Sequence, residues 1–271
     1  MRIVMCAMAK NEHLYINDWV KHYLKLGVDK IYLYDNDDLD KEYIGDYIEN
    51  KDRVEIINVR GQSGVGLQHE IYTNFYNTHT FDWCLFFDVD EYLFGISSLK
   101  TWLSLYMFRN VKQIRVKWRL YGDDNMITRD LKVPVYKAFK QEIKSSLNRN
   151  LVDKGDLENQ GKSIVRGGLD NVVICSPHFA SIRKRDNVIP SVLPSGRPCW
   201  SKVTIKENYM RETIYLHHYM TKTLSEFINQ KLNRNDAVYN QRLKLDYYWR
   251  INKITDEKIA YLKEKKLWDK Q

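Results

Sequence analysis

Between Ile3 and Asp88 the chain alternates short apolar runs with stretches of helical period, and this alternation restricts the fold more than any other feature. Ile3 to Met8 has the length and unbroken apolarity of a buried strand. Ile16, Trp19, Val20, Tyr23 and Leu24 then recur at helical spacing, and Gly27 falls where a helix C-cap glycine belongs. The run "VDKIYLYD" predicts a second strand ending on Asp35. A short polar helix is expected around 40–49, then a strand "RVEIINV" at 53–59, a helix near 67–79 and a fourth strand in "WCLFFD". Strand and helix in alternation predict an α/β chain with a Rossmann-like, mostly parallel sheet and flanking helices, which binds ligands beyond the carboxyl ends of its strands. Three predicted strand ends carry polar groups: Lys10-Asn11-Glu12, Asp35-Asn36-Asp37 and Asp88-Val89-Asp90. They converge on one edge of such a sheet.

The pattern changes after residue 100. "VKQIRVKWRLYG" and "DLKVPVYKAF" read as strands of mixed polarity, and 145–170 reads as loop-rich. "NVVICS" and "TIYLHHY" predict two short strands that each run into histidine, and from Thr223 the chain reads as helical to its end. No internal repeat or low-complexity linker divides it, so residues 1–222 are expected as one domain with 223–271 a helical extension packed on it.

Four dispersed cysteines with no CxxC pair suggest neither a zinc knuckle nor a dithiol redox site. The first apolar run is too short for a signal sequence, and no segment has the length of a membrane span. A cytoplasmic protein is the expectation. Residues 1–100 hold 10 Lys+Arg against 17 Asp+Glu, whereas 101–271 hold 33 against 18. The basic half suits a phosphorylated substrate or an anionic membrane surface; its charges are scattered rather than blocked, which argues against nucleic acid.

The stretch "LFFDVDEYL" poses the chemical question, because a run fit for a protein interior ends in three carboxylates within four positions. Buried carboxylates need a counter-charge, hydrogen bonds or a metal. Asp88 and Asp90, at the turn leaving a strand, could reach one cation. Magnesium or manganese is typically held by one or two carboxylates, with substrate phosphates and water completing the shell. Capping of a following helix would use the same residues.

"AKNE" after the first strand, "YINDWVKHYLKLGV", "IYLYDND" and "FDWCLFFDVDEYL" resemble, in this order and spacing, the nucleotide-sugar glycosyltransferases of the GT-A fold. More narrowly, they resemble glycosyltransferase family 92 and its bacterial relatives in the broad family 2 group. "VKWRLYGDDN", "GKSIVR", "SPHF" and "LHHYMTKTLSEFINQK" continue the resemblance, which covers roughly 2–235. It implies a nucleotide-sugar half at about 1–100 and an acceptor half at about 101–222. Asp88 and Asp90 would be the DxD pair that binds Mn²⁺ or Mg²⁺ and the donor diphosphate. Lys10, Asn11, Glu12, Asp35 and Asn36 would line the nucleotide pocket, although capping of the next turn is an alternative use for Asn11, Glu12 and Asp35. Within the matched motifs His178 is the first choice for a further metal ligand, with His217 its competitor. Lys222 would offset diphosphate charge as the leaving group departs, or sit solvated near a helix start.

The resemblance also implies inversion in one displacement, which needs a base for the acceptor hydroxyl. Asp123 and Asp124 are the candidates, at a position where the family favours small residues and where Gly-Asp-Asp-Asn also suits a hairpin turn. Trp118 and Tyr121 would stack on a sugar, or pack in the core. The aromatic and basic C-terminal region would suit a peripheral site on an anionic membrane, where a lipid-linked glycan is extended. The expected activity is transfer of a hexose, galactose or similar, from a UDP-sugar to a saccharide or lipid-linked acceptor in bacterial surface-polysaccharide synthesis. Two alternatives are a haloacid-dehalogenase-like phosphotransferase, from which Tyr92 departs, and a non-catalytic carbohydrate-binding protein of the same fold.

Overall fold

A computed structural model of the protein describes residues 1–143, 159–184, 187–200, 205, 212–232, 234 and 243–268. Its first half runs β1 (Ile3–Ala9), α1 (Ile16–Leu26), β2 (Lys30–Asp35), β3 (Val54–Asn58), α2 (Leu67–Thr78), β4 (Trp83–Leu85), β5 (Glu91–Phe94) and α3 (Leu99–Leu103). There follow β6 (Gln113–Leu120), α4 (Val135–Ala138), β7 (Gly161–Arg166), β8 (Val172–Ser176), β9 (Phe179–Ile182), β10 (Ser191–Val192), β11 (Pro198–Cys199) and β12 (Tyr215–His218). Three helices close the described chain: α5 (Leu224–Gln230), α6 (Leu245–Trp249) and α7 (Asp256–Glu264).

The unbroken apolarity of β1 follows from its place in the sheet. It lies between β2 and β4, parallel to both, and β3 extends the parallel set beyond β2. Side chains of a strand alternate between faces. Ile3, Met5 and Ala7 therefore join the larger core, while Val4 and Cys6 join a second one on the opposite face. α1 covers the first face with Ile16, Trp19, Val20 and Tyr23, and α2 covers the second with Tyr72, Phe75 and Tyr76. Gly27 ends α1 in the left-handed conformation (φ 101°), where its N–H reaches the carbonyls of Tyr23 and Leu24.

The second half completes the sheet with mixed direction. β7 inserts antiparallel between β4 and β6. β6 serves three ladders: Gln113–Lys117 pair with β7, Gln113 and Ile114 also pair with β10, and Trp118–Leu120 pair with β12, whose other edge pairs with β5. The start of β7 is thereby brought beside the end of β4, where Asp88 follows. The C-terminal helices share a small core of Leu224, Phe227, Leu245, Tyr248, Trp249 and Leu262.

Several expectations are corrected. The polar helix at 40–49 is instead one short 3₁₀ turn, Ile44–Tyr47, followed by a second at Lys51–Arg53, on a segment with too few apolar positions to bury a helical face. The strand expected at 130–139 is a turn followed by α4. Pro134 has no N–H for a ladder, and its carbonyl accepts the N–H groups of Lys137 and Ala138. Within the loop expected at 145–170, residues 144–158 lie outside the described ones, while "GKSIVR" is a central strand. The continuous helix expected from Thr223 is three separate helices, with residues 233, 235–242 and 269–271 outside the described ones.

Candidate active site

The turn that carries the three carboxylates is held from beneath by α1. The buried indole of Trp19 donates to the carbonyls of Asp88 and Glu91, 3.0 Å each, and the Tyr23 hydroxyl donates to the Glu91 carbonyl at 2.9 Å. The Glu91 carboxylate accepts the Asp88 N–H at 2.9 Å and closes the turn. The third carboxylate of the stretch is thus a turn lock. Its carboxyl is pushed well above the usual range by burial, against the pull of Lys162.

Above this turn lies a cavity of ≈ 280 Å³. Lys10, Glu12, Asn36, Asp88, Asp90, Trp118 and His178, all expected from the sequence, line it. Asn36 is fixed by donating to the carbonyls of Val59 (3.0 Å) and Gln62 (2.9 Å), and Lys10 pairs with Asp38 at 2.9 Å. Trp118 stands against the rings of His178 and His218, with centroids 5.3 and 4.4 Å away.

Other expected residues do not reach the cavity lining. Asn11 takes a left-handed backbone (φ 56°) so that its N–H can donate to Asp37 at 2.5 Å. Asp35 is fully buried, accepts the Asp37 N–H at 3.1 Å and faces Arg60 at 3.7 Å. Both build the turns under the pocket. His217 and His218 are neighbours on β12 and so point oppositely. His217 packs on Phe94 and Tyr121, leaving His218 on the cavity side. Tyr121 stacks on Tyr219 at 4.9 Å. Lys222 lies buried beneath the floor, 3.6 Å from Glu12 and 4.0 Å from Asp90, over the Tyr15 ring.

The two candidate bases are also drawn into the fold. Asp123 is buried and ion-paired with Lys258 of α7; it accepts the Tyr248 hydroxyl and, at 2.9 Å, the Asn125 N–H. Asp124 accepts the N–H groups of Lys140 (2.7 Å) and Gln141 (3.1 Å). Neither lines the cavity, because the Gly-Asp-Asp-Asn segment uses its carboxylates to shape the loop.

Four basic lining residues carry no site expectation from the sequence: Lys162, Lys231, Arg234 and His218. Lys162 meets Asp88 at 2.6 Å and Glu91 at 3.7 Å. Lys231 meets Asp90 at 2.5 Å and donates to the Met220 carbonyl at 2.6 Å. Arg234 reaches Glu12 at 3.4 Å. Burial opposes ionisation of Asp90, yet Lys231 and then His218 hold its carboxyl well below the usual range. Burial likewise opposes the charge on Lys162, which Asp88 and Glu91 raise above the usual lysine range. The excess of basic over acidic residues after position 100 was the signal available for these partners.

Among the described residues no three Asp, Glu, His or Cys side chains cluster as a metal cage. Asp90 Oδ1 and His218 Nε2 nevertheless face each other 3.4 Å apart, and burial lowers the imidazole pKa and so favours its neutral, ligating form. A magnesium-like ion asks the protein for only one or two ligands when phosphates and water supply the rest, so these residues fit it. His178 lines the cavity with Nδ1 2.6 Å from the Gly161 carbonyl, and its pKa is lowered to about 3 by burial and Lys162.

A mostly parallel α/β sheet with an acidic turn at its strand ends and a basic second half over the same cavity defines a GT-A type glycosyltransferase architecture. The sequence model of Glycosyltransferase family 92 matches residues 2–246, and the chain belongs to that family. Among solved structures it is similar to S. aureus TarS 1-349, with 12% identity, TM-score 0.37, and coverage of 61% of this chain and 47% of that one. The TarS complex with UDP-GlcNAc gives 13% identity, TM-score 0.37, and 61% and 45% coverage. HddC from Yersinia pseudotuberculosis gives 14% identity, TM-score 0.33, and 62% and 71% coverage. The chain thus spans about half the length of the TarS structure. No curated protein matches it by sequence. Family membership sets aside the phosphotransferase alternative. Among the described residues no helix is long and apolar enough to cross a membrane.

Proposed function

We propose that the cavity binds a nucleoside-diphosphate sugar and that the enzyme transfers its hexosyl group to a hydroxyl of a saccharide or lipid-linked acceptor. The observation that carries this reading is the meeting of Asp88 and Asp90 with Lys162, Lys231 and Arg234 in one cavity at the strand ends, where an α/β sheet binds its ligand. The Lys10–Glu12 and Asn36 edge takes the nucleoside, as the family resemblance implies, with Asn36 already oriented by two backbone carbonyls. Trp118 offers the face of its ring to a sugar. Mn²⁺ or Mg²⁺ would be held by Asp90 and His218 and would supply positive charge to the leaving diphosphate.

The family resemblance supports UDP as the nucleotide, galactose or a similar hexose as the sugar, and inversion in one displacement. The same resemblance supports surface-polysaccharide synthesis as the setting, with docking on an anionic membrane through the basic C-terminal region. Failure of the intact chain to bind anionic liposomes would remove that last element. The principal test is calorimetric titration of UDP into the protein with and without Mn²⁺, on wild type and on Asp88→Ala/Asp90→Ala. Manganese-enhanced binding that disappears in the variant is the expected result. Wild type that binds no nucleoside diphosphate in either condition would end the donor-site reading.

A further inference from the structure

The ionic composition of the cavity carries an inference that rests on the donor-site reading and deepens it. Four carboxylates, Glu12, Asp88, Asp90 and Glu91, are interlocked with four cations, Lys162, Lys222, Lys231 and Arg234. The lysines themselves are nearly dry, with the side chains of Lys162 and Lys231 2% and 6% exposed, while Asp88 is 33% exposed. Asp88 and Asp90 are therefore each already paired with a lysine inside the cavity, and a further charge of either sign would enter this partly buried site uncompensated, which is costly. A diphosphate entering alone would leave the site with surplus negative charge. A divalent cation entering alone would crowd lysines already seated on the carboxylates it needs. Entry of both together preserves the balance, provided the partners are exchanged.

We propose that Lys162 and Lys231 are the diphosphate-binding cations of this site and that, without donor, they occupy Asp88 and Asp90 in place of a divalent ion. On donor binding their ammonium groups turn from carboxylate to phosphate, and the released carboxylate oxygens face the cation. No covalent bond changes; the step is an exchange of ion-pair partners. The geometry allows it because both lysines line the same cavity as both aspartates. Lys231 is anchored by the Met220 carbonyl, so its head group pivots about a fixed contact. His218 stands at the other oxygen of Asp90, where its Nε2 and the freed carboxylate would share the cation. The exchange makes nucleotide and cation binding mutually reinforcing, since each ligand frees the groups that the other requires.

The test measures binding by calorimetry on the full chain, with UDP, uridine and Mn²⁺ as separate ligands. Lys162→Met and Lys231→Met should each lose roughly 10- to 100-fold in UDP affinity, the range of a charge-assisted hydrogen bond, while uridine affinity is unchanged. The same variants should bind Mn²⁺ alone more tightly than wild type, because a carboxylate is released. A purely structural lysine would weaken all three ligands together, and that result would overturn the proposal, as would unchanged UDP affinity. Lys162→Arg should restore most of the UDP affinity. If Lys231→Met does not fold, Lys231→Gln, which keeps a donor for the Met220 carbonyl, should still lose UDP affinity relative to uridine; equal loss of both ligands there would refute the role of Lys231. Wild type that binds neither UDP nor uridine would instead overturn the donor-site reading itself.

Discussion

Replacing Lys258 by methionine should destabilise the protein far from the cavity, and its magnitude follows from the contacts. Lys258 is fully buried; it meets Asp123 and donates to the Lys253 carbonyl at 2.9 Å. Asp123 is 3% exposed and retains two donors when the lysine is removed, the Tyr248 hydroxyl and the Asn125 N–H. Removing one partner of a buried ion pair costs about 3–5 kcal/mol, and the surviving hydrogen bonds place this case at about 3 kcal/mol. That is a large share of the ~5–15 kcal/mol by which a domain is stable. Asp123→Asn/Lys258→Met removes both charges at similar volume and should return to within about 1 kcal/mol of wild type. Urea unfolding at pH 7, followed by tryptophan fluorescence, measures both. UDP titration of the double variant should match wild type, since neither residue lines the cavity. A Lys258→Met variant within about 1 kcal/mol of wild type, or a double variant as unstable as the single one, would refute a stabilising buried pair at this position.

Three further outcomes follow. Burial lowers the pKa of both His22 and His217 to about 4, with Arg119 adding to the effect at His217. The unfolded chain takes up these protons near pH ~6.5, so their contribution is intact above that pH and is lost as pH falls towards 4, by about 2 kcal/mol per ring after allowing for partial exposure. Urea midpoints at pH 7 and 4.5 should show the fall, and His217→Gln should flatten it; a midpoint that rises on acidification contradicts the assignment. His218→Ala should lower manganese-dependent UDP affinity roughly tenfold or more, whereas His217→Ala should leave it intact, and the reverse order in titration would transfer the ligand role between the neighbours. Trp19→Phe keeps most of the ring but removes the donor to the Asp88 and Glu91 carbonyls; it should cost about 1–3 kcal/mol in urea and weaken UDP binding, and an unaltered UDP affinity would show that the turn holds itself.

The parts of the site that follow local rules were legible in the sequence. Apolar runs that stop at polar groups placed Lys10, Glu12, Asn36, Asp88 and Asp90 on one sheet edge, because a strand end and the residue after it are adjacent in chain and in space. Lys162 and Lys231 are 74 and 141 positions from the aspartates they neutralise, and no local period encodes such a pairing. "GKSIVR" falls in a stretch that reads as loop because it is polar and glycine-bearing, although Lys162 faces a carboxylate rather than water. His218 was missed for a subtler reason. It shares the buried parity of Leu216 on β12, while His217 lies on the other face, and only the position of β12 between β5 and β6 shows which parity the cavity takes. Gly-Asp-Asp-Asn fits a loop and a catalytic carboxylate equally, and Lys258, the partner that pairs with the buried Asp123, enters 135 residues later.

The distribution of counter-charges along the chain also bears on how the protein is made. Synthesis proceeds from the N-terminus, and domains tend to fold in that order. When residues 1–100 have left the ribosome, Glu12, Asp88, Asp90 and Glu91 are present but Lys162, Lys222, Lys231 and Arg234 are not, and the segment holds 17 acidic against 10 basic residues. Its parallel strands can pair, yet the turn after β4 cannot be buried with its carboxylates uncompensated. The first half must therefore wait with that edge open and hydrated until the later lysines emerge, which ties completion of the sheet to the synthesis of residues 162–234.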